Sequence, residues 1–418
     1  MKQSNFWFLF SGRLFSNIGD SLYAIIAMWL TFQLTGSTVY TGIAGFLTMI
    51  PTAFQFLTGP YIDRANLKAV LITTQFLQFV LLLFIPTLYY FDLLTVHWLL
   101  LIMFITSCTN EFAYPAQNAL LPRIVEKNEL MKANSYMAFA YQGTDILFMG
   151  IGGALLIFTD APLFLFMNAF LYLMTTFLFS RLKLTKTRKL PTGKKNFGTI
   201  FRAYKTDLKE GMTYAKSTLI PRIMVSGIIA NACLMAFMVN LPSIAAQKGS
   251  DGLYGAYMAA ISVGILLGTA SANTLSRFKL GKTTIIGFII CGLTWITASF
   301  VPSTVISIIL TGLSMTIIGA TNVMAVAIFQ RCIEERLLGR VMSLMMSASA
   351  ISAPLGSLLG GFIGAQFDST YTFIGAGASL IVISLYWLTQ PLLRELPKPD
   401  QCELALDKQE DWREKKSS

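Results

Sequence analysis

Two charged residues and an amide stand in a largely apolar stretch near the start of the chain: Arg13, Asp20 and Asn17. Spacings of four and three residues put them on one side of a helix, a side continued by the small residues Ala24 and Ala27. Further along, Asp145 follows Asn134, Tyr141 and Gln142 in a second apolar stretch, and Glu111 lies within TSCTNEFAYP. Carboxyl groups in such surroundings suit reversible exchange of a proton with water admitted first from one side and then from the other. Asp20, Asp145 and Glu111 are therefore the candidate proton-coupling residues, with Arg13 and Asn17 forming the polar face around the first. The same residues also admit a structural reading. In it an Arg13–Asp20 or Asn17–Asp20 contact holds one helix against a neighbour, and Glu111 either faces a cavity or caps a distortion at Pro115. From Gly252 to Ile333 there is no acid, so proton chemistry belongs to the first half of the chain. The second half offers a neutral wall with Asn231, Met235, Met238, Asn273 and Asn322.

Other chemistries find no support. A nucleotide cradle of the GxxxxGK[ST] kind is missing, and Lys279-Leu280-Gly281-Lys282-Thr283 lacks its glycine-rich lead. The five cysteines have no metal-like spacing, and His97 opens an apolar segment as an interfacial residue would. No metal or cofactor is expected, and no enzymatic activity.

The elements that must position these residues follow from composition. Of 418 residues 54% are hydrophobic and only 13% charged, mean hydropathy is +0.61, and Phe alone contributes 32. A soluble protein of this length needs a charged exterior that these residues do not supply. The chain reads as an all-α polytopic membrane protein, since crossing a bilayer takes about 20 apolar residues. Twelve such stretches fall near 7–32, 39–60, 69–91, 97–119, 133–157, 162–181, 219–243, 253–276, 282–302, 304–328, 340–365 and 369–390. Spans 9 and 10 are parted only by Val301-Pro302-Ser303. The first span is expected to be retained rather than cleaved, because its apolar core runs too long for a signal peptide.

Charge placement tests that count. Lys and Arg crowd alternate connections: Arg64 and Lys68; Arg123, Lys127 and Lys132; then Arg277, Lys279 and Lys282; and Arg331, Arg336 and Arg340. The opposite connections carry Lys248 with Asp92, Asp160, Asp251 and Asp368. By the positive-inside rule both termini are cytoplasmic, and orientation with lipid attraction accounts for the net charge of +11 without a nucleic acid. Residues 181–216 carry eleven Lys or Arg against two acids. The expected organisation is an N-terminal six-helix bundle over 1–181, a basic cytoplasmic linker over 182–217, a C-terminal six-helix bundle over 218–390 and a flexible cytoplasmic tail over 391–418.

Six spans on each side of the linker suggest duplication. Glu126, Leu130 and Ser135 before span 5 match Glu334, Leu338 and Ser343 before span 11 at an offset of 208 residues. Such a repeat would pack as two parallel bundles. Gly150, Gly152 and Gly153 in span 5, and Gly356 and Gly360 in span 11 beyond a bend expected at Pro354, mark close-packing or hinge positions.

The chain as a whole, over about residues 6–390, resembles carriers of the major facilitator superfamily. The resemblance is carried by Gly59, Asp63, Arg64 and Lys68 within GPYIDRANLK, by the opening Phe10 to Asp20, and by Tyr114-Pro115-Ala116 with Leu121-Pro122. Within the superfamily it is similar to bacterial drug and macrolide exporters and to the enterobactin exporter. It departs from proton-coupled drug exporters in having no arginine at 101–110 and in placing Phe148-Met149 where their Gly-Pro falls. The resemblance implies the major facilitator fold and a cytoplasmic latch at Gly59, Asp63, Arg64 and Lys68. It also implies a bacterial inner or plasma membrane setting. The expected function is secondary active transport, with proton-coupled export of amphipathic drugs or macrolide-like compounds by alternating access, working as a monomer among membrane lipids. A siderophore, lipid or metabolite carrier of the same fold, and a non-transporting sensor or scaffold, are the alternatives.

Overall fold

In the computed structural model, residues 2–58, 61–62, 65–126, 129–183, 219–250, 252–333 and 335–398 are described. They are helical almost throughout: α1 (Lys2–Thr35), α2 (Thr38–Ala53), α3 (Leu67–Tyr90), α4 (Val96–Ile124), α5 (Leu130–Ala138), α6 (Thr144–Phe158) and α7 (Ala161–Ser180) precede the linker. After it come α8 (Ile220–Gln247), α9 (Gly252–Leu275), α10 (Leu280–Phe300), α11 (Thr304–Cys332), α12 (Glu335–Gln366), α13 (Ser369–Thr389) and the short α14 (Pro391–Arg394). A π-turn, Phe139–Gly143, joins α5 to α6 into one broken span.

Among the described residues nine helices are long and apolar enough to cross a membrane. The remaining three of the twelve spans are α1, α2 and the broken α5–α6. Each misses that measure for a physical reason. α1 carries embedded charges, α2 has 16 residues and gives way to a 3-10 turn at Gln55–Leu57, and the π-turn divides span 5. The regular part of span 2 is thus shorter than the expected 39–60. The Val301-Pro302-Ser303 break is real, with α10 ending at Phe300 and α11 beginning at Thr304, so spans 9 and 10 are separate. Local signals set several ends. The Asn66 side chain accepts from the Ala69 amide at the start of α3, and Asp368 accepts from the Thr370 amide at α13. Between α1 and α2, Gly36 takes a φ of 61°, which a side chain would resist.

Burial is inverted relative to a soluble protein. Phe76, Phe84, Phe166 and Phe170 in the first half, and Ile286, Ile290 and Leu293 in the second, are exposed. Asn17, Gln75, Gln78, Gln117 and Asn168 are buried. Apolar faces turned outward are what lipid requires, while polar groups collect inside, where Asn17 is hydrogen-bonded and Gln75 pairs with Gln78 at 2.9 Å.

Contacts divide the chain into two compact units, Met1–Phe201 with Val239–Ala259, and Arg202–Met238 with Ala260–Ser418. In the first, α1 packs on α7, α6, α2 and α4, α3 packs on α7 and α4, and α2 packs on α4. The hairpin Val239–Ala259 belongs to this unit although it follows the linker in sequence. Tyr254 Oη donates to the Ile25 carbonyl at 3.2 Å, and Gly255 meets Gly153 backbone to backbone. At the turn of the hairpin, partial burial pulls the Lys248 ammonium below its usual range.

In the second unit α10 packs on α13 and α11. Gly264 and Gly268 of α9 abut Gly312 and Thr316 of α11, while Gly356 and Gly360 of α12 abut Ala232 and Ala236 of α8. Trp387 of α13 donates through Nε1 to Ser226 of α8 at 2.8 Å, and Phe237, Trp295 and Phe373 form the aromatic centre. Span pairs 1–5, 1–6, 2–4, 3–4 and 3–6 therefore recur as 7–11, 7–12, 8–10, 9–10 and 9–12. Duplication is present as packing. Pro354 does not interrupt α12, which runs helical through it.

Two expected features look different in the structure. Residues 391–398, expected to open a flexible tail, are docked: Leu393 and Leu396 are buried, and the Leu280 and Gly281 amides donate to the Pro397 and Leu396 carbonyls. The basic linker from 184, the tail from 399, and Gly59, Asp63 and Arg64 of the expected latch lie outside the described residues. Lys68, the latch residue that is described, ties two helices of one unit. Its Nζ donates to the Leu182 carbonyl at 2.8 Å, just past the end of α7, where a cation suits the helix dipole.

Candidate functional site: a polar track in the first unit

The residues at i, i+4 and i+8 along α1 from Arg13 face the broken span 5. A π-turn closes its hydrogen bonds one residue later than an α-helix and leaves backbone carbonyls to be met from outside. Asn17 meets one. Its Nδ2 donates to the Tyr141 carbonyl inside the π-turn at 2.7 Å and to Thr144 Oγ1 at 2.9 Å. One turn on, Ser21 Oγ donates to Asp145 Oδ1 at 2.7 Å. One turn back, the Arg13 guanidinium lies over two tyrosine rings, 4.4 Å from the Tyr141 centroid and 4.9 Å from that of Tyr114.

Asn17→Ala removes both donations and strands the Tyr141 carbonyl in a low-dielectric interior. The expected loss is about 1–2 kcal/mol, near the upper end for an interhelical hydrogen bond in a membrane protein. A lower melting midpoint in detergent checks this, and an unchanged midpoint contradicts it.

Asp20 points elsewhere. Three residues after Asn17 is about 60° short of a full turn, and this is enough to aim the carboxyl at α7, where Tyr172 Oη donates to Asp20 Oδ1 at 2.7 Å. Asn110 of α4 is its other polar neighbour. Neither of the contacts considered from sequence, Arg13–Asp20 or Asn17–Asp20, forms. Asp20 is half-buried close to the middle of α1, and Gly19 beside it admits Tyr172 and Asn168, whose atoms lie 2.9–3.1 Å from where a β-carbon would stand. Asp145 is exposed rather than buried. Glu111 is half-buried, with Oε1 accepting from Thr52 of α2 at 2.7 Å and the Gln55 side chain as its other polar neighbour.

The structure thus joins Arg13 and Asn17 to span 5, brings Asp145 of span 5 to Ser21 of span 1, takes Asp20 to span 6 and Glu111 to span 2, all within the first unit. Sequence reasoning missed Ser21, Tyr172 and Asn168. Ser21 was signalled by the four-residue repeat from Arg13 through Asn17. Asn168 is wholly buried with both amide atoms unpartnered, and no local pattern marks it or Tyr172. Of the glycines, Gly152 packs on Leu22 and Ile25 of α1 and Gly153 on Gly255, so both serve as helix contacts. Gly150 is half-buried beside them.

The second unit contains a cavity of about 270 Å³ between α8, α10, α11, α12 and α13. Met224, Phe288, Met345 and Trp387 form its apolar wall, and Ser226, Thr321 and Asn322 supply neutral polar groups. Its lining carries no charged side chain. Asn231 is not part of it and instead donates to Ser349 and Ser352 of α12, each at 3.2 Å. Among the described residues no cluster of acids, histidines and cysteines is placed to hold a metal ion.

A helical, lipid-facing chain with two like units and a polar track in one of them has the build of a membrane transporter. The family described as Transmembrane secretion effector matches residues 1–416, and the chain belongs to that family of major facilitator transporters. YvqJ of Bacillus subtilis (strain 168), an uncharacterized MFS-type transporter, is 22% identical over 422 residues, covering 97% of this chain and 96% of its own. YkuC of the same organism, also an uncharacterized MFS-type transporter, is 21% identical over 428 residues, covering 99% and 97%. Among solved structures, the nucleoside transporter NupG superposes with a TM-score of 0.65 at 14% identity, over 93% of this chain and 98% of its own. A bacterial homologue of the human lysosomal transporter Spinster, inward-facing and unoccupied, gives 0.63 at 14%, over 97% of each. The protein is accordingly a multi-pass membrane transporter of a small molecule, not an enzyme.

Proposed function

We propose that the protein is a proton-coupled exporter of amphipathic organic compounds, working by alternating access, with Asp20 as the coupling carboxyl and Glu111 and Asp145 as further acidic positions. The observation that carries this reading is the setting of Asp20. It is half-buried at mid-helix, held by a neutral tyrosine hydroxyl, and among the described residues has no cation in ion-pair contact. An unpaired carboxylate is costly in such a site, and taking up a proton removes the cost. A carrier can use that difference by admitting water to the group from each side in turn. The apolar cavity of the second unit, with its neutral polar groups, supports a cargo with a large uncharged surface. The test is transport into inverted membrane vesicles under an imposed pH gradient, with a panel of dyes, macrolides and siderophores. Gradient-dependent accumulation of a dye or macrolide is expected, and accumulation of none of the panel counts against the reading.

Both termini are placed in the cytoplasm on the strength of the one-sided Lys and Arg. Single cysteines substituted at Lys248 and Lys195 are expected to react with an impermeant maleimide from opposite faces of intact cells and inverted vesicles. Reaction of both from the same face overturns this orientation. On the same placement Gly59, Asp63, Arg64 and Lys68 form a cytoplasmic latch, and 182–217 is a cytoplasmic linker.

A further inference from the structure

Among the described residues Arg13 is the only charged side chain that is fully buried, and nothing so far accounts for its charge. Its guanidinium rests against Tyr114 and Tyr141, whose rings are themselves stacked 5.1 Å apart. Ring faces attract a cation but accept no conventional hydrogen bond, and Nη2 is enclosed with no partner. The carboxylates whose fields reach Arg13 are Asp20 and Asp145, and each is engaged by another residue: Asp20 by Tyr172 and Asp145 by Ser21. Neither is in ion-pair contact with Arg13. The two tyrosines are each partly exposed, at 38% for Tyr114 and 43% for Tyr141.

We infer that Arg13, Tyr114 and Tyr141 form a binding site for the carboxylate or sulfonate group of an aromatic amphipathic cargo. A guanidinium presents its N–H donors in a plane that matches the oxygens of such a group. The exposed tyrosine surface would take the aromatic body joined to it. Bound this way, with the tyrosine rings parting to admit it, the anion supplies the acceptor that Nη2 lacks and neutralises a cation that no described carboxylate of the unit pairs. The site rests on the transport reading and narrows it, from amphipathic cargo to anionic amphipathic cargo. Binding is measured apart from transport, so the two can fail separately.

The test uses the full-length protein in dodecyl maltoside and equilibrium dialysis against protein-free micelles. Three probes share one ring system: 1-naphthaleneacetate, 2-(1-naphthyl)ethanol and 1-naphthylmethylammonium. The acetate is expected to bind at least about tenfold more tightly than the alcohol, with the ammonium weakest, as charge-assisted pairing requires. Arg13→Gln should bring the acetate down to the level of the alcohol and leave the alcohol within about threefold, since only the charged hydrogen bonds are lost. Arg13→Lys should retain part of the preference, having charge without the planar fork. Asp20→Asn should strengthen acetate binding, because its negative charge opposes an incoming anion. Equal affinity of the wild-type protein for acetate and alcohol overturns the proposal whether or not Arg13→Gln folds, and so does an Arg13→Gln protein that keeps the preference. A wild-type preference found alongside no pH-driven transport supports this site and removes the coupled-transport reading.

Discussion

Vesicles carrying Asp20→Asn are expected to bind cargo and exchange it downhill, yet fail to accumulate it under a pH gradient. Asparagine keeps the size of the side chain and can still accept from Tyr172, so the α1–α7 contact at 2.7 Å survives the change. What it cannot do is bind and release a proton. If Asp20 were a packing partner alone, the variant would transport almost normally or lose stability, with the pH dependence of transport unchanged. Loss of gradient-driven accumulation should be nearly complete, because a carrier whose coupling group no longer cycles equilibrates its cargo instead of concentrating it. Asp145→Asn and Glu111→Gln are expected to have smaller effects. Asp145 is exposed and held by Ser21, and Glu111 is tied to Thr52 at the edge of α2. Undiminished accumulation in all three variants would remove the first unit as the coupling site.

The largest structural effect is expected at the crossing of α6 and α9. A β-carbon on Gly255 would fall on the carbonyl of Gly153, and one on Gly153 would meet the Gly255 carbonyl and stand 2.8 Å from Met258 Cβ. Backbone can yield only if the helices separate, which also breaks the neighbouring Tyr254–Ile25 hydrogen bond. Gly255→Leu should therefore cost at least about 3 kcal/mol, the upper range for overpacking, and leave little monodisperse protein in detergent. Gly375→Leu is the control, since nothing lies within 4 Å of the β-carbon it would add. Equal yields and melting midpoints for the two variants would show that the close approach is not required. The same reasoning applies with less force at Gly152, where the neighbours are the ends of flexible Leu22 and Ile25 side chains.

The approximate places of the apolar spans and the break at 301–303 were legible in the sequence, because bilayer thickness imposes a length that apolar runs must meet, whereas the early end of α2 was not. The role of small residues in spans 5 and 11 was legible for a similar reason, since only they let helices approach closely. Partners were not. Asp20 and Tyr172 are 152 residues apart, and helical spacing says which residues share a face without saying which helix that face meets. The 60° between Asn17 and Asp20 was small enough to read as one polar side, yet it sends the two residues to different neighbours. The π-turn at Phe139–Gly143 has no composition that marks it, and it becomes intelligible only with Asn17 seen against the Tyr141 carbonyl. The docking of 391–398 was hidden by the polar residues that follow, although Leu392, Leu393 and Leu396 are the apolar signal for it.

The measurement that bears most directly on coupling through the first unit is proton movement itself. Reconstituted vesicles, loaded with a pH-sensitive dye and held without an imposed pH gradient, receive a cargo established by the transport panel. In the wild-type protein a cargo-dependent change of internal pH is expected, and in Asp20→Asn no such change while cargo still equilibrates. Cargo-driven proton movement that persists in Asp20→Asn, or its absence in a wild-type protein that transports the cargo, would overturn coupling through Asp20.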